Sequence, residues 1–271
     1  MTIDPRSVLL VTLDSCRYDT FAAATVPAMK RVGPLHKAQA PSHFTFGSHA
    51  AIFAGFTPGI AELAAPFINP KFGKIFKLAG PSFPGKGGEA FILEGRTIVD
   101  GFRRLGYLTV GTGAVGWFDP GTPAPHLLIS DFDEFFYPGN SWSLVRQLMW
   151  IDDQLAHHQQ TPVFLFVNIG ETHVPYYYEG APWDRGDNPC IPFQNADRSV
   201  DCRLRQQASL EYVDRFLSPL LTEFSAATIV ICADHGDCWG EDGLWEHGIS
   251  HPMTLTVPLI IRLRGTGIGD T

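Results

Sequence analysis

The chain of 271 residues is long enough to bury a full core as one large α/β domain, or to hold two small ones. Hydrophobic residues make up 45% and charged residues 18%, which excludes a disordered chain and a coiled coil. Lys+Arg 20 against Asp+Glu 28 leaves a formal charge of −8, the wrong sign for gripping nucleic acid by charge, and no apolar run approaches the roughly 18 to 20 residues that span a bilayer.

In chain order, apolar and β-branched runs predict buried strands at Val8–Leu13, Tyr107–Gly111, Val163–Ile169, Thr228–Ala233 and Val257–Leu263. Helical spacing of apolar residues predicts helices at Thr97–Leu105 and at Asn140–His157, where Leu144, Leu148, Ile151 and Leu155 share a stripe. A third helix is expected over Arg203–Phe224, kinked at Pro219. Strands alternating with helices imply a mainly parallel sheet covered on both faces, one domain over residues 1–271. Gly55–Gly88 and Tyr176–Val200 read as long loops, and the second, which follows His173, is expected to border a pocket. The opening MTIDPRS has no basic segment with a cleavage site, so a cytoplasmic location is expected. Of five cysteines, Cys16 and Cys232 sit by apolar runs as small hydrophobes; Cys190 and Cys202 flank a polar loop, and whether they pair is open.

The polar residues cluster at strand ends. Asp14 follows the first strand, Glu171 and His173 follow VFLFVNI, and Asp234 and His235 follow TIVICA. In an open parallel sheet the carboxyl ends of the strands line one rim, and ligands bind there. Carboxylate oxygens with an imidazole nitrogen suit Zn²⁺ or Mn²⁺ better than Ca²⁺. A further donor is available in PSHFTFGSHAAIFAG, where Thr45 precedes an apolar helical turn. A metal-bound threonine hydroxyl loses its proton more easily and becomes a nucleophile.

These segments, in this order, resemble the alkaline phosphatase superfamily on its sulfatase-like side. VLLVTLDSCRYDTF resembles the opening strand with its metal-binding aspartate, and APSHFTFGSHAAIFAGFTP the nucleophile segment. VFLFVNIGETHVPY resembles the strand and histidine loop, and ASLEYVDRFLSPLL the late helix. ADHGDCWGEDGLWEHG, with VPLIIR after it, resembles the metal-binding Asp-His pair and the closing strand. The resemblance implies an alkaline-phosphatase-like three-layer α/β/α fold without the C-terminal subdomain of sulfatases. It implies one divalent metal, Zn²⁺ or Mn²⁺ ahead of Ca²⁺ or Mg²⁺, held by Asp14, Thr45, Asp234 and His235, with Thr45 the nucleophile. His173 and His247 would then face the substrate. His49 stands where sulfatases carry an arginine beside the nucleophile and is a candidate for substrate contact. His251 either contacts substrate or folds the turn before Pro252.

Two departures bear on chemistry. Ser15 stands where sulfatases have a second acid, which disfavours Ca²⁺, and Thr45 cannot be converted to formylglycine as Cys or Ser can. Both favour phosphate or phosphonate esters of a small molecule over sulfate esters. A sulfatase, a phosphoryl transferase and a non-catalytic anion or metal binder are the alternatives. Arg17 is expected to brace the loop after Asp14 by a salt bridge. Asp237, Glu241, Asp242 and Glu246 read as a solvated turn, with a second metal there as the alternative; Glu171 with His173 is another candidate second site, and one metal is expected. Tyr176, Tyr177 and Tyr178 either stack on a substrate or pack.

Overall fold

The computed structural model describes residues 3–55, 76–78, 91–93, 96–122, 126–158 and 161–265. Its strands are β1 (Val8–Leu13), β2 (His36–Gln39), β3 (Phe76–Leu78), β4 (Phe91–Leu93), β5 (Leu108–Gly113), β6 (Glu134–Phe136), β7 (Val163–Ile169), β8 (Thr228–Ala233), β9 (Cys238–Trp239), β10 (Trp245–Glu246) and β11 (Thr256–Arg262). The helices are α1 (Tyr18–Ala23), α2 (Pro27–Lys30), α3 (Thr45–Ala54), α4 (Ile98–Arg104), α5 (His126–Ile129), α6 (Leu144–His157), α7 (Ser199–Glu223) and α8 (Pro252–Leu255). Seven strands form one sheet in the order β2-β11-β8-β1-β7-β5-β6, in which β11 pairs antiparallel to both its neighbours and the other pairings are parallel. The β3–β4 and β9–β10 pairs stand apart from it.

Side-chain alternation along β1 sorts the two faces. Leu9, Val11 and Leu13 join Leu144, Ile151, Leu155, Leu210, Val213 and Leu217, placing α6 and α7 with α1 and α2 on one face. Leu10 joins Ala50, Phe53, Val99, Leu128, Phe164 and Phe166, placing α3, α4 and α5 on the other. The outcome is three layers, as strands buried on both sides require.

The strongly apolar elements lie where their patterns put them. β1, β7 and β8 match residue for residue, and α4 starts where Thr97 Oγ1 accepts the Asp100 amide at 3.1 Å. Boundaries moved elsewhere. α6 opens at Leu144 rather than Asn140, because Asn140 Oδ1 folds a turn by accepting from Trp142 N and Ser143 Oγ. α7 opens at Ser199, and Pro219 lies inside it. β2 and β6 were not foreseen; both are short edge strands, and HKAQ carries almost no apolar signal. The loop expected at Gly55–Gly88 lies mostly outside the described residues, and within it Phe76–Leu78 forms a strand. Among the described residues no helix is long and apolar enough to cross a membrane.

Candidate active site

Sheet register builds the first half of the site. Leu13 lies opposite Ile169 of β7 and Ala233 of β8, so Asp14, Gly170 and Asp234 all stand one residue beyond the same row. The Asp14 amide donates to the Ile169 carbonyl at 2.9 Å, extending that row by a step. Gln206 on α7 then ties the two loops together, donating to the carbonyls of Ser15 at 3.0 Å and Thr172 at 3.1 Å.

Asp14, Asp234 and His235 are completely buried, and one ligand atom from each falls within 4.8 Å of the others. Asp14 Oδ2 accepts from Asn168 Nδ2 at 3.2 Å, and Asp234 Oδ1 accepts from the amides of Ser15 and His235. Asp234 Oδ2 has no hydrogen-bond partner. No arginine or lysine ion pair to either carboxylate occurs among the described residues. Burial, with the Asp14 charge beside it, holds the Asp234 carboxyl well above the usual range, and burial pushes the His235 imidazole down to about 4. His235 Nδ1 donates to the Gly236 carbonyl at 3.0 Å, which leaves Nε2 as an acceptor. Two buried carboxyl groups, one of them with an orphaned oxygen, and a neutral imidazole nitrogen form a group that could hold a divalent cation, whose charge would offset their burial. Gly236 has no alternative here, because a Cβ would stand 2.3 Å from the Met253 carbonyl oxygen.

Thr45 is the first residue of α3, and its Oγ1 lies 3.3 Å from His235 Nε2 and 3.5 Å from each Asp14 oxygen. It does not cap its helix: the N-cap is Phe44, with no side-chain cap bond. Ser48 locks α3 to the rim by donating to the Asp234 carbonyl at 2.7 Å. The hydroxyl is therefore buried among the proposed ligands and free to serve as a fourth.

The second half of the site is a pair of histidines in loops. The His173 and His247 rings lie 5.1 Å apart, and His247 lies 4.6 Å from His235. His173 Nδ1 donates to the Val174 carbonyl and His247 Nδ1 to Asp237 Oδ1, both at 2.8 Å. Neither Nε2 has a hydrogen-bond partner among the described residues. Burial alone would lower the His247 imidazole, but the bond to the Asp237 carboxylate and its charge raise it to about 9.

No family model matches the chain, and no curated protein matches it. Solved structures do. The C-terminal periplasmic domain of phosphoethanolamine transferase EptC from Campylobacter jejuni aligns with a TM-score of 0.62 at 14% identity, over 97% of this chain and 80% of that one. The C-terminal periplasmic domain of EcEptC from Escherichia coli, in complex with Zn, aligns with a TM-score of 0.63 at 12% identity, over 97% and 74%. A protein in the alkaline phosphatase superfamily from Vibrio parahaemolyticus aligns with a TM-score of 0.55 at 13% identity, over 100% and 62%. The fold is alkaline-phosphatase-like.

Within this alkaline-phosphatase-like fold, Asp14, Thr45, Asp234 and His235 come together, with His173 and His247 beside them. His49 does not reach the rim. It is fully buried, Nδ1 donating to the Thr45 carbonyl at 2.8 Å and Nε2 paired with Thr12 Oγ1 at 2.9 Å, with Phe53, Phe118 and Phe166 around the ring. Nothing of it is left for a substrate. His251 caps α8 instead: Nδ1 accepts the Met253 amide at 3.0 Å, and Nε2 pairs with Asp242. Glu171 turns to α6, Oε1 accepting the Leu144 amide at 2.8 Å while Oε2 has no partner, and burial pushes its carboxyl up to about 8; among the described residues it does not group with His173 as metal ligands.

Arg17 braces its loop as expected, bridging Asp19 and Glu241 and lying 4.1 Å over the Trp239 ring. The solvated-turn reading fails for Asp237, which is fully buried, and for Glu241, which Arg17 holds. Tyr176 is buried and Tyr178 stacks on Tyr212, so both pack rather than stand open to a ligand. Cys190 and Cys202 are buried free thiols. Asn168 and Trp239 were not foreseen in the site, and Asp237 and Tyr176 were not foreseen as partners of each other. Only Asn168 carried a plain signal, as the lone polar residue of VFLFVNI.

Proposed function

We propose that this chain is a metal-dependent enzyme acting on small phosphate or phosphonate esters, with Thr45 as the nucleophile. One observation carries the reading: Thr45 Oγ1 stands 3.3 Å from His235 Nε2 and 3.5 Å from both oxygens of Asp14, amid buried acids that no arginine or lysine among the described residues pairs with. Asp14, Asp234, His235 and Thr45 would hold the cation; when bound it supplies Lewis acidity to the Thr45 hydroxyl and to the transferred group. Thr45 Oγ1, deprotonated, attacks phosphorus in line, and the bond to the leaving oxygen breaks. His247 delivers the proton from Nε2 to that oxygen, with His173 beside it steadying the transferred group. Water then attacks phospho-threonine, the P–Oγ1 bond breaks, and His247 takes back a proton.

A second reading replaces water with an alcohol and makes the enzyme a transferase. The likeness to a phosphoethanolamine transferase domain supports it. The test is incubation of metal-loaded protein with phosphate and sulfate esters of one chromogenic alcohol, with and without an added alcohol acceptor. Mass spectrometry of the quenched protein should find phosphate on Thr45. Release from the sulfate ester alone, or turnover with Thr45 never modified, would reject the mechanism. Product phosphate divided between water and acceptor reports which reading applies.

A further inference from the structure

Both carboxylate oxygens of Asp237 are already hydrogen-bonded to side chains. Oδ1 accepts from His247 Nδ1 at 2.8 Å and Oδ2 accepts from the Tyr176 hydroxyl at 2.7 Å. The Tyr176 oxygen in turn accepts from Trp239 Nε1 at 2.7 Å. Three side chains thus form one hydrogen-bonded string ending on the ring placed beside the metal cluster. Water is kept off it: Tyr176, Cys190, Cys202, Trp239 and Trp245 make a buried apolar cluster of their own, where hydrogen bonds are stronger than in water.

The backbone gives an independent reason to regard the string as functional. Tyr176 has φ 58°, a left-handed conformation that costs a bulky residue energy. Its amide is held there by the His173 carbonyl at 2.7 Å, and its ring packs edge-on against Trp239 at 5.8 Å. A glycine would relieve that strain but has no hydroxyl. Keeping tyrosine at a strained, fully buried position makes sense if the hydroxyl is needed where it is.

We propose that Asp237, gripped by Tyr176, whose hydroxyl Trp239 holds in turn, is the positioning residue that fixes the His247 ring at the rim, so that two buried aromatic residues govern leaving-group chemistry without touching substrate. The inference rests on the role given to His247 above. It also explains why His235, Asp237 and His247, though close enough to share an ion, need not do so.

The test uses the full chain and two readouts. A one-dimensional proton spectrum should show a downfield resonance from an imidazole N–H bonded to carboxylate, absent in His247→Ala and moved upfield in Tyr176→Phe. Tyr176→Phe should lower kcat about tenfold or more while KM changes less than about twofold. The loss should be larger for phenyl phosphate than for 4-nitrophenyl phosphate, because a poor leaving group depends more on a well-placed acid. Trp239→Phe, which keeps a ring and removes only the donor, should act in the same direction by less. A wild-type resonance that is missing, or that survives in His247→Ala, overturns the string. Equal losses for both esters in folded Tyr176→Phe overturn its role in chemistry. A wild type that turns over no ester would sink the phosphoesterase reading instead, and the resonance alone would then decide the string.

Discussion

The two halves of the site are built by different means. Asp14, Asp234 and His235 follow strands whose last paired residues share one row, so their positions come from sheet register. His173, Asp237 and His247 sit in loops: His247 and Tyr176 are held by side-chain bonds to Asp237, and His173 by a bond to the Val174 carbonyl. A register contact is shared along whole strands and is hard to undo with one substitution, whereas a loop contact hangs on single donors. The carboxylate half should therefore keep its geometry when its chemistry is removed, and the histidine half should not.

The largest effect should come from Thr45→Ala. Turnover should fall by orders of magnitude, while bound metal measured by elemental analysis stays near one per chain and the melting temperature hardly moves. Were Thr45 a helix cap, stability would drop by about 1 kcal/mol with turnover per folded molecule intact; the cap here is Phe44. A stable, metal-loaded and fully active variant would refute the nucleophile. Next comes Asp234→Asn, which should abolish metal uptake by titration yet raise the melting temperature of metal-free protein. The reason is that burial and the Asp14 charge disfavour an ionised Asp234, and the neutral amide removes that charge. A metal-free variant less stable than wild type would show that the carboxylate is satisfied in a way the geometry does not reveal.

The histidine half offers a pH test on metal-free protein. The bond to Asp237 raises His247 to about 9 from the ordinary value of 6.5. A group whose folded pKa is raised contributes stability that is fully present below its unfolded pKa and lost as pH rises through the folded one. The melting-temperature advantage of wild type over His247→Gln should therefore be greatest below pH 6.5 and fade through about pH 9. An advantage that grows with pH would mean that Asp237 does not hold a charged ring.

This contrast also separates what the sequence reveals from what it hides. VLLVTL and VFLFVNI are buried along nearly their whole length and TIVICA on alternate residues, so their apolar runs mark them, and the aspartates that follow VLLVTL and TIVICA mark the rim. That is why Asp14, Asp234 and His235 were readable, and why Thr45 followed once a fourth donor was sought. Edge strands β2 and β6 carry too little apolar surface to announce themselves. His49 misled because the resemblance put it where sulfatases carry an arginine, whereas a helix starting at Thr45 turns residue 49 inward onto Phe53, Phe118 and Phe166. Asp237 was hidden for the converse reason. An acid in an acid-rich turn looks solvated until a tyrosine 61 positions away proves to be its partner.

The smallest effect concerns how far the histidine half extends. His251 lies four residues beyond His247, yet its Nδ1 accepts the Met253 amide while Thr254 Oγ1 accepts the His251 amide, a reciprocal cap on α8. α8 in turn supports the rim, since the Gly236 amide donates to the Thr254 carbonyl at 2.8 Å. His251→Ala should thus cost about 1 kcal/mol of stability, the ordinary worth of a cap, with kcat/KM unchanged at temperatures where the variant is folded. His251→Asn, which restores an acceptor, should recover most of the loss. The opposite pattern, an unchanged melting temperature with a raised KM in both variants, would return His251 to the substrate. A cap can be replaced by any short acceptor, whereas a substrate contact requires the reach of the imidazole, so the asparagine variant separates the two roles even where the alanine variant is ambiguous.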